Sequence, residues 1–140
     1  MSQAKLSSCA IVFVSTNIEK SLQYYQEVLG FRVVTHYENA EKFAALYRDA
    51  IEIVMVQAKF GKVIPHREAF GAGEDAYFVP ETVEAVDAFH AEITAKGAVV
   101  LQPLSITPYG SREFSFEDCD GRMISVGRIK DKKVFFGDNQ

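Results

Sequence analysis

Phe13-Val14-Ser15-Thr16-Asn17-Ile18-Glu19 and Phe78-Val79-Pro80-Glu81-Thr82-Val83-Glu84 are two copies of one local pattern, sixty-five positions apart. The first runs on to Tyr24, Glu27 and Val28, the second to Phe89, Glu92 and Ile93. Each closes a strand-like apolar run and opens an amphipathic helix. Each then passes through a glycine, Gly30 or Gly97, into a further apolar strand. A repeat of this kind decides the architecture before any single motif does, because each copy is one supersecondary unit that buries its apolar face against a neighbour.

Working outward from the first copy, Cys9 to Val14 reads as a strand rich in branched residues. Thr16-Asn17-Ile18-Glu19 fits a capping box, with a hydroxyl three residues before a carboxylate at the helix start. Ile18, Leu22, Tyr25 and Leu29 follow at helical spacing. Strands are expected near 31–38, 42–48 and 50–57, with turns at Asn39 and at Asp49-Ala50. Residues 58–73, punctuated by Gly61, Pro65, Gly71 and Gly73, read as a linker or a loop over a cleft. The second copy predicts a strand near 74–79 and a helix near 82–96. Strands near 98–106, 111–117 and 123–129 complete it, joined by Pro108-Tyr109-Gly110 and by Asp118-Cys119-Asp120-Gly121. The expected class is α+β, one domain over 1–140: module one at about 8–57, the linker at about 58–73, module two at about 74–129 and a tail at 130–140. Val134-Phe135-Phe136 gives that tail an apolar segment able to dock.

Composition bounds the function. A chain of 140 residues with 48% apolar and 24% charged residues supports one domain with a real core. A net charge of −4 argues against a general nucleic-acid binder, which carries a basic face. Cys9 and Cys119 cannot make a disulfide framework and read as reduced thiols. No apolar run approaches a membrane span and no signal pattern opens the chain. The expectation is a soluble cytoplasmic protein with no nucleic-acid or membrane partner.

"AIVFVSTNIEKSLQYYQEVLGFRVV" and "YGSREFSFEDCDGRMISVG" resemble the vicinal oxygen chelate superfamily over roughly residues 8–129. That superfamily contains glyoxalase I, ring-cleaving dioxygenases, fosfomycin-resistance enzymes and bleomycin-resistance proteins. Where its second motif usually has a proline between two aspartates, Cys119 stands here. The resemblance implies two tandem β-α-β-β-β modules forming a half-barrel around a cleft, and a homodimer that often exchanges modules or shares sites. Metal-dependent members place four ligands at equivalent points of the two modules. Carried over by position, these fall on Ala10, Glu52, Asp75 (Glu74 after a one-residue slip) and Ser125. Alanine offers no donor atom and serine is a poor one, whereas a divalent catalytic site wants three His or carboxylate ligands. Hard oxygens from Glu52 and Asp75 would hold a labile Mg²⁺ or Ca²⁺ at most, so no cofactor is predicted.

Strand alternation predicts the cleft wall. Val12 and Val14 go with Ala10, Val54 and Val56 with Glu52, Tyr77 with Asp75, and Met123 with Ser125. Phe114 and Phe116 have the parity for packing under a helix, which turns Glu113 and Ser115 to the cleft, with Tyr109 at the head of that strand. The candidate ligand-binding set is Glu52, Asp75, Tyr77, Tyr109, Glu113, Met123, Ser125 and, from the loop, His66. Competing structural readings tie Glu52 to Arg48 or Arg112 in an ion pair, make Asp75 an exposed strand start and make Arg112 an anchor. His36 and His90 match no ligand position. Two small-molecule functions compete, beside a third reading in which the cleft has degenerated and the dimer of a modification or regulatory module is the functional object. One is a bleomycin-resistance-like protein with an incomplete metal site that binds a small cationic or aromatic molecule. The other is a glyoxalase-type lyase or isomerase with Glu52 as general base, with or without a weakly held divalent ion.

Overall fold

The computed structural model of the chain describes residues 2–37 and 42–138. The turn expected at Asn39 lies outside the described residues. The elements run β1 (Ile11–Ser15), α1 (Ile18–Glu27), β2 (Arg32–His36), β3 (Phe43–Arg48) and β4 (Ile51–Gln57), then α2 (His66–Phe70). Module two follows as β5 (Ala76–Phe78), α3 (Val83–Ala95), β6 (Val99–Ile106), β7 (Ser111–Glu117) and β8 (Met123–Ile129), with α4 (Lys132–Phe136) after it. Each module makes its own four-stranded mixed sheet, ordered β1-β4-β3-β2 and β5-β8-β7-β6. In both, the first strand pairs in parallel with the last and the remaining pairs are antiparallel. The repeat read from the sequence is therefore present as two modules of the same topology, without a closed barrel.

Local chemistry explains the elements. The side chain of Asn17, not Thr16, accepts from the Lys20 amide and caps α1, one position later than the capping-box reading. Thr82 does the same for α3 through the Ala85 amide. Two short helices escaped the sequence reading. α2 inside the linker and α4 inside the tail are five residues each, too short for a 3.6-residue period to declare itself. β5 also spans only Ala76–Phe78, shorter than the strand expected near 74–79.

One face of each sheet is covered by helix and the other is open. Phe13, Leu46, Ile53 and Met55 of module one join Phe78, Phe114, Phe116 and Val126 of module two in a single buried core. Phe89 of α3 packs its ring 6.4 Å from both Phe114 and Phe116, as the alternation of β7 predicts. Across the module boundary the Phe31 and Phe78 rings meet at 6.1 Å, and Arg48 donates to Glu92 while its Nη1 also holds the Leu29 carbonyl of its own module.

A buried polar network completes that boundary. Arg122 donates from Nη1 to Asp118 Oδ2 at 3.1 Å and to Asp120 Oδ2 at 3.0 Å, and its Nη2 reaches the Val14 carbonyl of β1. Its guanidinium lies 4.3 Å from the centre of the Phe13 ring. Asp118 also accepts from Tyr25 of α1 at 2.6 Å, and Asp120 accepts from Ser21 at 2.8 Å. Burial, reinforced by the Asp118 carboxylate, pushes the Tyr25 phenol well above its usual value, so it stays a donor. Asp118 keeps its expected turn role as well, since its Oδ1 accepts the Asp120 and Arg122 amides.

Candidate functional site

The open face of module two carries a cluster built from three of the predicted residues. Tyr77 of β5 donates its hydroxyl to Glu113 Oε2 of β7 at 2.7 Å. Tyr109, in the turn before β7, donates to Glu113 Oε1 at 2.7 Å. Each carboxylate oxygen thus has one phenol donor and keeps a lone pair for another. Partial burial first, then the hydrogen bond to Glu113, raises both phenols above their usual values, so both remain protonated donors. Ser111 Oγ lies 3.4 Å from the Tyr77 hydroxyl.

This cluster lines a cavity of about 690 Å³. Gly127 of β8 forms part of its floor. A Cβ there would land on the Tyr77 hydroxyl and on Glu113 Cγ, and would lie 3.1 Å from the Arg112 carbonyl. The missing side chain is what lets Tyr77 lie across β8 to reach Glu113. The C-terminal helix supplies another wall with Lys132, Phe135 and Phe136. Phe135 sits 6.3 Å from the Tyr109 ring, edge to face. The tail is fixed there because the Lys130 and Asp131 amides both donate to the Gly110 carbonyl, at 2.8 and 2.9 Å. A Cβ at Gly110 would come within 2.7 Å of the Asp131 carbonyl.

The other predicted site residues do not join this cluster. Glu52 lies on the open face of module one, where its side chain accepts from Tyr47 at 3.3 Å. Neither arginine considered as its partner pairs with it, because Arg48 binds Glu92 and Arg112 binds Asp87 at 2.9 Å. Asp75 is not an exposed strand start. It is pinned by backbone, accepting from the His66 amide at 3.0 Å and from the Met123 amide at 3.0 Å, and its side chain is only 8% exposed. His66 and Asp75 border a separate cavity of about 280 Å³ between the linker and β1. Ser125 is buried and bonded to Ser115 at 2.9 Å. Met123 shares the face of β8 that holds Ser125 and Gly127, outside the cavity wall. His90 packs edge-on to Phe114 and His36 stacks on Phe43, both at 4.9 Å.

Gly127, Arg128, Lys132 and Phe135 were missed from the sequence. The signal for Gly127 was present, since it shares the cleft parity of Ser125 two positions earlier. Phe135 belongs to the apolar tail segment, for which no docking surface was assigned.

The donor set at the family's metal positions does not fit a divalent ion. Ala10 has no ligand atom, the Ser125 hydroxyl is bonded to Ser115, and the two carboxylates left, Glu52 and Asp75, fall short of the three His or carboxylate ligands such a site wants. Among the described residues, Asp118, Cys119 and Asp120 do bring three ligand-type atoms within 4.8 Å of one another. Arg122 already supplies the cation there, bound to both carboxylates. Burial pushes the Cys119 thiol up to about 11, away from the thiolate a metal would need.

The profile of the Glyoxalase/Bleomycin resistance protein/Dioxygenase superfamily matches residues 7–126, and the chain belongs to that superfamily. Solved structures share its fold at low identity. A glyoxylase/bleomycin resistance protein/dioxygenase domain from Frankia sp. EAN1pec has a TM-score of 0.71 at 19% identity, covering 90% of this chain and 100% of its own. FosX, a genomically encoded fosfomycin resistance protein from Listeria monocytogenes, has a TM-score of 0.68 at 14% identity, covering 93% of this chain and 96% of its own. TnmS3, an antibiotic binding protein from Streptomyces sp. CB03234, has a TM-score of 0.65 at 20% identity, covering 91% and 100%. No curated protein matches the chain in sequence. No helix among the described residues is long and apolar enough to cross a membrane.

Because Glu52 has no ion-pair partner among the described residues, Glu52→Gln is expected to fold with a stability change below about 1 kcal/mol, the range of a partly exposed polar contact. Urea unfolding checks this. A loss near 3 kcal/mol, of the size that follows from stranding a buried charge, would restore the ion-pair reading.

Proposed function

We propose that this protein binds a small planar aromatic molecule in the module-two cavity. The observation that carries the reading is the Tyr77–Glu113–Tyr109 cluster on an aromatic-walled cavity of about 690 Å³. Pockets of this size hold drug-sized ligands, with apolar walls for affinity and a few polar groups for orientation. The free lone pairs of Glu113 accept an amine, ammonium or hydroxyl of the ligand, and the rings of Tyr77, Tyr109 and Phe135 offer edges and faces for stacking. That TnmS3 is an antibiotic binding protein of the same fold agrees with this reading. A lyase or isomerase built on Glu52 has less support, because Glu52 lies on the other sheet from the cavity and the metal positions are short of donors.

N-Phenylnaphthylamine, a fluorescent aromatic amine, tests the proposal. Saturable binding is expected, and Glu113→Gln should weaken it about tenfold through loss of a charge-assisted acceptor. Absence of saturable binding, or full affinity in Glu113→Gln, would overturn it. Native mass spectrometry of freshly purified protein would report any carried molecule at the same time.

The working unit in this reading is a homodimer. The open face of module one exposes Val12 by 63% and Val14 by 49% on one edge strand and Val34 on the other, with Val54 and Ala45 in the row between Val12 and Val34. A contiguous apolar sheet face of this kind is covered by a partner in soluble proteins, and a second copy is the usual one. Sedimentation at micromolar concentration is expected to give twice the 15.6 kDa chain mass. A sharp monomer boundary refutes the dimer.

A further inference from the structure

One wall of the cavity is held differently from the rest. Tyr77, Glu113 and Gly127 stand on neighbouring, paired strands of one sheet. The wall made by α4 is a helix of five residues, too short to hold its shape alone. Its backbone attachment stops where it begins. The Lys130 and Asp131 amides donate to the Gly110 carbonyl, and the Asp131 side chain caps the helix by accepting from the Val134 amide at 3.0 Å. Among the described residues, no hydrogen bond or ion pair joins residues 132–138 to another element. Packing alone seats α4, with Phe135 edge to face on Tyr109 and Val134 against Gly110. The Phe135 ring lines the cavity, yet it is 46% exposed. Nearly half of its surface is therefore left for another group to cover.

We infer that α4 is a retaining strap: it seats on the bound molecule through Phe135 and has to loosen before that molecule leaves. This rests on the module-two cavity being the binding site. Tyr109 couples the strap to the ligand. Its hydroxyl donates to Glu113 and its ring carries Phe135, so a ligand that fixes Tyr109 also fixes the surface on which α4 rests. The coupling is reciprocal, because whatever binding adds to the seating of α4, the seating of α4 adds to binding. Its effect falls on departure, since the strap is loosened as the ligand goes. Asp131 is then a positioning residue. It is absent from the cavity lining and acts by capping the helix that holds Phe135 in place.

Stopped-flow fluorescence of N-phenylnaphthylamine on the full chain tests the strap. Asp131→Ala should release the probe about three- to tenfold faster, the size of a lost helix cap, while association stays within about twofold of the wild type. Asp131→Asn caps as well as aspartate and should restore slow release. Phe135→Ala should speed release at least as much as Asp131→Ala. A second readout needs no variant. Lys132 and Lys133 are trypsin sites on the strap, and saturating probe should slow their cleavage about fivefold or more, because the protease takes the loosened form. Mass spectrometry of the clipped chain reads this even where a variant fails to fold. Unchanged release in Asp131→Ala, release from Asp131→Asn as fast as from Asp131→Ala, or cleavage of saturated wild type as fast as of free protein would overturn the inference. Failure of the probe to saturate would overturn the cavity reading together with it, whereas saturable binding with any of those three results overturns the strap alone.

Discussion

Arg122→Met is expected to cost about 3–5 kcal/mol of folding stability, the range measured when one partner of a buried ion pair is removed and the other is left behind. The side chain of Asp118 is 0% exposed and that of Arg122 5%, so solvent cannot replace the lost cation. Three groups lose their partner together: Asp118, Asp120 and the Val14 carbonyl. Asp118 keeps the Tyr25 hydroxyl and two amides, which soften the loss without neutralising the charge. Against a total stability of roughly 5–15 kcal/mol, this is a large fraction, so the variant should melt far below the wild type. Adding Asp118→Asn to Arg122→Met removes the more deeply buried of the two stranded charges and is expected to restore at least half of the loss. Non-additivity of that size marks directly coupled residues. A loss below about 1 kcal/mol for Arg122→Met would show the network to be a surface feature and not the staple between modules.

The same residues show what the sequence discloses and what it withholds. The two modules, their helices and most strands were legible because periodicity and capping are local signals, and the repeat presents them twice. The cleft parity of Tyr77 and Glu113 followed from strand alternation, and Tyr109 followed as a family aromatic. Their meeting at one carboxylate depends on β5 pairing with β8 and β8 with β7, which no local signal encodes. Asp118 and Asp120 read correctly as turn-formers, yet their second role needs Arg122 to reach back to β1, a contact 108 residues away in sequence. Glu52 and Asp75 were placed by family position and by alternation. That geometry fixes which way a side chain points and leaves open what it meets. Asp75 met two amides and Glu52 met Tyr47. The helices α2 and α4 were out of reach because five residues carry too little pattern.

Gly127→Ala is expected to damage the site about as much as Glu113→Gln, although the sequence reading did not single Gly127 out. A methyl group at this position collides with the Tyr77 hydroxyl and with Glu113 Cγ, and the Arg112 carbonyl 3.1 Å away bars escape in a third direction. Gly127 is not in the left-handed region of backbone conformation, so strain in φ plays no part and the effect is purely one of space. The backbone of β8 is held by pairing on both sides, with Glu113 of β7 directly opposite Gly127. Tyr77 and Glu113 must therefore be the groups that move. Forcing one extra carbon into a packed position costs about 1–3 kcal/mol. Here part of that cost is relieved by swinging Tyr77 off β8 toward solvent, since its side chain is already 39% exposed. The fold should survive with a modest loss, while the Tyr77–Glu113 hydrogen bond breaks and the cavity loses its floor. Affinity for N-phenylnaphthylamine should fall by at least tenfold, about 1.4 kcal/mol or more, a loss comparable to that of Glu113→Gln. Tyr77→Phe/Gly127→Ala should fall no further than Gly127→Ala alone, because the hydroxyl removed by the second change has already lost its partner. Full affinity in a folded Gly127→Ala variant would mean that the ligand does not use this floor.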